Sequence, residues 1–530
     1  MPSQNRTGGE ILADALLHNG ADTVFCVPGE SYLPFLDAAH DRAGRLRLVT
    51  ARHEGGASYM AEAYGKLTGK PGLCFVTRGP GACNASIGVH VAFQDSTAMV
   101  LMVGQVERAF RGREAFQEVE YRLMFAPLAK WVVEVDSAAR IPETMARALA
   151  IAQNGRPGPV VVVFPEDVRA ETATVPDVPP APLPRAYPGA SQIEDLKQLL
   201  TAAQRPLAIV GGGGWTAQAA SGFTAFAEAW NLPTAASFRC QDIIDNRKPI
   251  YAGELGTSVS PALARRVREA DVLLVAGARL GEMTTQGYTL VEAPQPRQIL
   301  LHIHPDPQEL GRIYRPSLAI AAGMPELAES LGTLPAPPLC VWDDWTAATR
   351  HDYEAGLVPG PCPGTLHMGE VMAMIEARLP DDAIICTGAG NYTGWPQRFH
   401  QFRRFRSQLG VANGSMGYGV PAAIAARIAQ PERCVVVFAG DGCFQMNGQE
   451  MATAMQEGLS FVILLINNAM YGTIRMHQER DYPERVSATR LVNPDFAALA
   501  RAFGAHGEVV ERTEDFAAAF ERALGAGKLA

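Results

Sequence analysis

Short apolar runs alternate with longer amphipathic segments along most of this 530-residue chain. Runs that lack polar alternation are typical of strands buried on both faces, and helical periodicity fills the intervals between them. The apolar runs of strand length are 23–27, 46–50, 72–77, 98–103, 159–164, 206–210, 271–277, 299–303, 383–386, 434–439 and 461–466. The pattern predicts an α/β fold built from doubly wound parallel sheets.

Two proline-rich stretches interrupt this pattern. Residues 175–184 read VPDVPPAPLP, and the region 335–363 is similarly broken, so both are expected to be linkers. They divide the chain into predicted domains at 1–175, 190–335 and 364–530. The first and third domains share a strand pattern that suggests a duplicated pair.

Composition narrows the function classes. A net charge of −9 without a dense Lys/Arg stripe argues against nucleic-acid binding. The nine cysteines are scattered without a CxxC pair, which favours a reducing compartment. No apolar run approaches the roughly 18 residues of a membrane span, and the polar N-terminus has no signal-peptide core. We therefore expect a cytoplasmic protein with no membrane partner.

One unit stands out by its chemistry. The strand at 434–439 ends in Gly440-Asp441-Gly442, and the strand at 461–466 ends in Asn467-Asn468. A helix is expected from about Asn447, with Glu450 three residues later in a capping-box arrangement. The carboxyl ends of parallel strands meet at one sheet edge, where hard oxygen donors beside free backbone N–H groups suit Mg²⁺ carrying a diphosphate.

The spacing of this unit resembles a known signature. Gly-Asp-Gly, 24 intervening residues and Asn-Asn resemble the thiamine diphosphate fingerprint of the acetolactate synthase and pyruvate oxidase superfamily. The resemblance covers nearly the whole chain and implies pyrimidine-binding, central and diphosphate-binding domains. It implies Mg²⁺ ligands at Asp441, Asn468 and the backbone carbonyl of Met470. The cofactor contacts implied are Gly388, Gly390, Asn391, Tyr392, Gly414, Met416, Gly440, Gly442, Cys443, Tyr471 and Gly472, with Met416 as the wedge that bends the cofactor.

Glu54 is the leading catalytic candidate. It begins a helix after a strand, and the small residues beside it allow another surface to approach closely. The segment RHEGGASYMAEAYGKLTG resembles the family segment whose glutamate hydrogen-bonds N1′ of the aminopyrimidine. Phe116 and Gln117, in REAFQE, resemble the pair that lines the substrate side of the thiazolium.

A flavin is also implied, less directly. Positions that contact FAD in acetolactate synthase correspond to Arg156, Gly211, Gly212, Gly213, Gly277 and Arg279. The same glycines could form an ADP-binding or vestigial pocket, or plain turns. An NAD site is disfavoured because the GxGxxG spacing and its ribose-binding acid are not clear.

Three positions depart from acetolactate synthase. Its tryptophan after the Asn-Asn pair corresponds to His477, its arginine after the Gly-Ala-Arg motif to Met283, and its lysine in Leu-Pro-Lys-Asp to Glu166. These changes leave the thiamine chemistry in place, but they leave the second substrate open.

The expected function is decarboxylation of a pyruvate-like 2-oxo acid with carboligation to a second carbonyl. The alternatives are an FAD-dependent oxidase of the pyruvate oxidase type, a non-decarboxylating lyase of 2-hydroxy carbonyl compounds, and a non-catalytic cofactor-binding protein. The resemblance further implies a homodimer with active sites at the interface, or a tetramer of such dimers.

Overall fold

The computed structural model describes residues 5–530. In each central strand, alternate residues point into different hydrophobic cores. In the first sheet, for example, Leu101 and Val103 lie in one core, whereas Val100 and Met102 lie in another. This burial on both faces is why the strands contain runs of apolar residues without alternation. The prediction of doubly wound parallel sheets is confirmed.

The first domain is built around a six-stranded parallel sheet. The strands are β1 (Asn5–Thr7), β2 (Thr23–Cys26), β3 (Arg47–Thr50), β4 (Gly72–Val76), β5 (Met99–Gln105), β6 (Trp131–Glu134), β7 (Pro159–Pro165) and β8 (Thr172–Thr174). The helices are α1 (Gly8–His18), α2 (Leu33–His40), α3 (Glu54–Thr68), α4 (Pro80–Asp95), α5 (Tyr121–Phe125), α6 (Ile141–Gln153) and α7 (Glu166–Ala170). The sheet order is β3-β2-β4-β5-β7-β6, and β1 pairs separately with β8 in antiparallel fashion.

The middle domain has a second six-stranded parallel sheet, in the order β11-β10-β9-β12-β13-β14. The strands are β9 (Pro206–Val210), β10 (Thr234–Ser237), β11 (Tyr251–Leu255), β12 (Val272–Ala276), β13 (Ile299–His304) and β14 (Leu318–Ala321). The helices are α8 (Ala190–Thr201), α9 (Ala217–Ala229), α10 (Pro261–Glu269), α11 (Met324–Leu331) and α12 (Asp343–Gly356).

The third domain has a four-stranded parallel sheet, in the order β16-β15-β17-β18. The strands are β15 (Ile384–Thr387), β16 (Gln408–Leu409), β17 (Val435–Gly440) and β18 (Val462–Ile466). The helices are α13 (Met368–Glu376), α14 (Gly394–Phe399), α15 (Gly419–Ala429), α16 (Asp441–Phe444), α17 (Met451–Gln456), α18 (Gly472–Asp481), α19 (Phe496–Ala502) and α20 (Thr513–Leu524).

The first and third sheets share one strand order. In both, the second strand lies outside the first, and the third and fourth follow on the other side. The corresponding helices α3 and α15 pack against each other, and one hydrophobic core continues through both domains. The duplicated strand pattern expected from the sequence therefore corresponds to two similar sheets that share a core.

The second proline-rich region is not an extended linker, and that expectation is wrong. Residues 343–356 form α12, which packs on the middle sheet. Trp345 is buried there, and its indole N–H donates to the carbonyl of Pro206 at 2.9 Å. The sequence was misleading because the prolines lie on either side of the helix and not within it.

The capping box at Asn447 is also wrong. Asn447 precedes a short 3₁₀ turn without capping it, and its side-chain amide donates to the carbonyl of Gly417 at 3.2 Å. Glu450 is the last residue of that turn, and its carboxylate accepts hydrogen bonds from the first-domain amides of Arg52 and His53. The sequence has the S/T/N-x-x-E spacing, but the side chains of Asn447 and Glu450 form hydrogen bonds with other parts of the fold and do not cap a helix.

Across residues 5–530, every helix is too short or too polar to cross a membrane.

Candidate active site

Asp441 lies at the carboxyl end of β17 and is the first residue of α16. Its side chain is buried, with 2% of the residue exposed. Oδ2 accepts a hydrogen bond of 2.6 Å from the side-chain amide of Asn493, which also donates to Oδ1 of Asn467 at 2.8 Å. Asn493 therefore joins the ends of β17 and β18, which are neighbours in the sheet.

The turn after β18 presents further oxygen donors. Gly440 is paired with Ile466, so Asp441 and Asn467 follow directly on adjacent strands. Oδ1 of Asn468 accepts from the amide of Met470 at 3.3 Å, and Asn468 itself is exposed.

A carboxylate, an amide oxygen and a backbone carbonyl are donors that suit Mg²⁺. No cluster of three or more His, Cys, Asp or Glu side chains suited to a metal occurs in the described chain, so a site there would depend on such mixed oxygen donors. The residues present thus fit the predicted ion.

The predicted diphosphate loop follows β15. The Tyr392 hydroxyl accepts from the amide of Gly388 at 3.1 Å and donates to Sγ of Cys443 at 3.1 Å. The same sulfur accepts from the amide of Gly417 at 3.1 Å. Tyr392 and Cys443 together therefore join the turns at Gly388 and Gly417. Asn391 is exposed, and its side-chain oxygen accepts a hydrogen bond from the hydroxyl of Thr473 at 2.9 Å.

Close packing around the loop ends explains the glycines. A Cβ on Gly440 would lie 2.8 Å from Cδ1 of Tyr392, and a Cβ on Gly442 would lie 2.6 Å from Cε1 of Tyr471. These loops follow β15 and β17, which are adjacent strands whose order marks the switch point of the sheet. The chain thus forms a close backbone cradle where α/β sheets bind phosphorylated ligands. Gly390 lies in the first of these loops, and Gly472 begins α18 directly after Tyr471.

Met416 lies in the loop that precedes α15. Gly414 and Gly417 on either side have φ values of 71° and 82°, which favour glycine. Tyr59 of the first domain holds the loop, because its hydroxyl is 2.7 Å from Oγ of Ser415 and donates to the carbonyl of Met416 at 3.3 Å. Both domains therefore fix the position of the half-buried Met416.

Glu54 is the first residue of α3, in the first domain. Nδ1 of His53 accepts from the amide of Gly55 at 3.0 Å and caps the helix. Oε2 of Glu54 accepts from the side-chain amide of Asn84 at 3.0 Å. Glu54 remains half-buried, so its carboxylate is open to a further partner.

Glu450 supports the segment that leads into α3. Its carboxylate accepts from the amides of Arg52 at 3.1 Å and His53 at 3.0 Å, and from the hydroxyl of Thr453 at 2.6 Å. The side chain is fully buried, and this burial raises the pKa of the Glu450 carboxyl. Glu450 thus ties the third-domain unit that contains Asp441 to the start of the Glu54 helix.

Phe116 and Gln117 lie beside a salt bridge that the sequence did not predict. Arg78, just beyond β4, donates through Nη1 to Glu166 at 2.6 Å and through Nε to the side-chain oxygen of Gln117 at 3.2 Å. The guanidinium is 6.0 Å from the ring centroid of Phe116, which is 77% exposed.

A large cavity separates the middle domain from the other two. Its volume is ≈ 970 Å³, within the range of cofactor pockets. Of the FAD candidates, Gly212, Gly213 and Arg279 line it. Among residues 5–530, the Arg279 side chain makes only long contacts of 3.5 Å to Gln94, so its guanidinium is available to a ligand.

The other FAD candidates lie behind the cavity wall. Arg156 is engaged with Glu309 at 3.0 Å and with the carbonyl of Phe93 at 2.6 Å, and burial lowers its pKa to about 10. A Cβ on Gly211 would collide with Oγ of Ser237, and a Cβ on Gly277 would lie 2.5 Å from the carbonyl oxygen of Gly211, so close packing explains both glycines.

Four residues of the site were missed by sequence reasoning: Arg78, Asn84, Glu450 as a support, and Asn493. Asn84 has a local signal: it lies one helical turn into α4, and α4 follows the end of β4 after a short turn that contains Gly79. The others act over separations of 52 to 398 residues, and only the fold brings them to their partners.

Three family models match the chain in order. The N-terminal TPP binding domain of thiamine pyrophosphate enzymes matches residues 6–124, the central domain matches 193–331, and the C-terminal TPP binding domain matches 388–530. The chain therefore belongs to the thiamine pyrophosphate (thiamine diphosphate) enzymes, as the fingerprint predicted.

Curated relatives place it more narrowly. The acetolactate synthase large subunit of Parasynechococcus marenigrum is 34% identical, over 98% of this chain and 86% of the relative. The large subunit of acetolactate synthase isozyme 2 from Escherichia coli is 32% identical, over 98% of this chain and 93% of the relative. Within the thiamine diphosphate enzymes, the chain belongs to the family of acetolactate synthase large subunits.

Proposed function

We propose that this enzyme decarboxylates a pyruvate-like 2-oxo acid and joins the remaining fragment to a second carbonyl compound, with thiamine diphosphate and Mg²⁺. The observation that supports this most directly is the arrangement of Asp441, Asn467 and Asn468 at adjacent strand ends beside the glycine-rich cradle. The acetolactate synthase relatives do not favour the oxidase or lyase alternatives.

Each half of the site has a distinct task in this proposal. Thiamine diphosphate, when bound, supplies the nucleophilic carbon and the electron sink that decarboxylation and carboligation require. Asp441, Asn468 and the carbonyl of Met470 hold Mg²⁺, while the loops at Gly388 and Gly442 bind the diphosphate. Glu54 holds and exchanges a proton at N1′ of the pyrimidine, and Asn84 keeps its carboxylate oriented.

The functional unit in this proposal is a homodimer. Glu54 and Asp441 would act on opposite ends of one cofactor, with each half contributed by a different subunit. Exposed apolar side chains around both halves support a covering partner: Phe116, Met446, Ile474, Met476 and Val492. Light scattering of the purified protein with cofactor distinguishes a dimer from a tetramer, and a monomer that retains activity would contradict the shared site.

FAD is proposed for the large cavity. Its volume and the weakly held guanidinium of Arg279 support a dinucleotide with a diphosphate. The visible absorbance of a flavin in purified protein, released on denaturation, is the expected result. An Arg279→Gln variant should lose flavin, whereas Arg297→Gln, at an exposed pair outside the cavity, should retain it.

The proposed activity is tested by product analysis. The wild-type enzyme, supplied with pyruvate, thiamine diphosphate and Mg²⁺, should release CO₂ and give a carboligation product. The Glu54→Gln variant should bind thiamine diphosphate, but the C2 proton of the bound cofactor should exchange more slowly than in the wild type. Unchanged proton exchange in that variant would remove Glu54 from the mechanism.

All nine cysteines are free thiols, which supports our proposal of a cytoplasmic location.

A further inference from the structure

Glu54, Arg78 and Glu166 each follow a strand of the first sheet, and the opposite charges of Arg78 and Glu166 meet there. Glu54 follows β3, Arg78 follows β4 and Glu166 follows β7, so all three lie at the carboxyl edge of the sheet. Arg78 belongs to the same turn as Gly81, where a Cβ would be 3.5 Å from Oε1 of Glu54. The turn that carries Arg78 therefore contacts Glu54, and the Arg78–Glu166 pair lies beside Gln117, on the side predicted for substrate.

The pair is electrically neutral as a unit. The side chains of Arg78 and Glu166 are 12% and 28% exposed, so the pair is largely sheltered but open toward the site. Asp167, the next acid along the chain, is taken by Arg108 at 2.6 Å. Arg169 is fully buried and cannot reach a ligand. The sheltered cation beside Gln117 is thus compensated by its own acid, so the pair offers an anionic substrate no net positive charge.

The pair still offers unused hydrogen-bonding atoms. Within residues 5–530, Nη2 of Arg78 and Oε2 of Glu166 have no hydrogen-bond partner. One is a donor and the other an acceptor, so together they complement a molecule that has a carbonyl oxygen and a hydroxyl group. A carboxylate would gain from Arg78 but would be repelled by Glu166 at nearly the same distance.

We propose that the Arg78–Glu166 pair determines the second substrate, and that this substrate is an uncharged hydroxy-aldehyde or hydroxy-ketone and not a second 2-oxo acid. This rests on the proposed function, because it concerns the acceptor in the same carboligation. In the step, the new C–C bond forms as the π bond of the acceptor carbonyl breaks, and the carbonyl oxygen takes a proton from water. CO₂ is the only group lost in the overall reaction, so no oxidant is needed. Nη2 of Arg78 donates to that oxygen, and Oε2 of Glu166 accepts from the hydroxyl.

The test is a competition between acceptors of equal size. Glycolaldehyde and glyoxylate differ only in having a CH₂OH or a carboxylate beside the aldehyde. Both are supplied together with the 2-oxo acid donor that releases CO₂ fastest, and the two products are quantified by mass spectrometry. Their ratio does not depend on the donor half of the reaction, because both acceptors meet the same intermediate stage.

The wild-type enzyme should favour glycolaldehyde by at least about tenfold, since like charges repel at short range. Glu166→Gln should shift the ratio toward glyoxylate by about tenfold or more, because the guanidinium loses its neutralising partner. Glu171→Gln is the matched control: it removes an acid five residues away that pairs with Arg108, and it should leave the ratio unchanged.

The outcomes separate the two proposals. If CO₂ is released but glyoxylate is the preferred acceptor of the wild type, the assignment of the second substrate is overturned and the decarboxylation stands. A ratio that is equally unaffected by Glu166→Gln and Glu171→Gln removes the pair from acceptor selection. If no 2-oxo acid releases CO₂, both proposals fail. Should Glu166→Gln not fold, the wild-type ratio decides alone.

Discussion

Glu450→Ala tests whether the third domain fixes the start of the helix that carries Glu54. Oε1 of Glu450 accepts from the amides of Arg52 and His53, and Oε2 accepts from the hydroxyl of Thr453. Alanine removes the acceptor of all three donors at a fully buried position. The segment entering α3 should therefore open more easily, and Glu54 should lose its fixed position.

The magnitude follows from these contacts. A hydrogen bond to a charged group contributes about 1.5–3 kcal/mol. The hydroxyl of Thr453 can turn to the carbonyl of Thr50, 3.4 Å away, and water can reach the amide of the exposed Arg52. We therefore expect the free energy of local opening to fall by about 2–4 kcal/mol. Since about 1.4 kcal/mol corresponds to a factor of ten, amide exchange at Arg52 and His53 should accelerate roughly 30- to 700-fold.

Hydrogen–deuterium exchange of the peptide that contains these amides is the assay. Glu450→Gln should resemble the wild type, because its amide oxygen can replace Oε1 and accept from both backbone groups. Glu457→Ala is the control, since it removes a more exposed link between the same two domains, the pair with Arg47. Equal exchange in wild type and Glu450→Ala would refute the reasoning, as would equal exchange in the Ala and Gln variants.

Three further predictions follow from buried charges and the metal ligands. Asp441→Ala should abolish Mg²⁺-dependent cofactor retention. Asn493→Ala should weaken cofactor affinity about 10- to 100-fold, as expected for a residue that orients a metal ligand. Calorimetric titration measures both affinities, and wild-type affinity in either variant would contradict the role assigned to that residue. Lys66→Met should lower stability by about 3–5 kcal/mol, seen as a lower unfolding midpoint, because it leaves Glu62 and Asp95 as unpaired buried acids, and adding Glu62→Gln should recover part of the loss. Burial raises the pKa of Glu254 to about 7 from 4.5, so its contribution to stability is present below pH 4.5 and is lost as the pH rises through about 7; the unfolding temperature of Glu254→Gln should depend less on pH over that interval, and an unchanged profile would exclude the effect.

Local patterns predicted the parts of the fold that local physics controls. The strands at 72–76, 99–105 and 159–165 were visible because a strand covered on both faces has to be continuously apolar. The strands that the pattern missed are β1, β6, β8, β10, β11, β14 and β16, and of these β10 and β14 are instructive. Their sequences, TAAS and LAIA, have little β character, and they become strands because neighbouring strands supply their hydrogen bonds.

The active site divides along the same line. The sequence by itself determined the family, the metal-binding unit and the candidate base, because the spacing from Asp441 to Asn468 and the segment around Glu54 are continuous in the chain. Only the tertiary structure decided what holds those residues. Glu450 does not cap a helix but accepts hydrogen bonds from the amides of a segment 398 residues away. Arg78 forms an ion pair with Glu166, although β5 lies between the strands that they follow. Such partners depend on which strand ends become neighbours, and the packing of the sheets determines this, whereas no local period of the sequence records it.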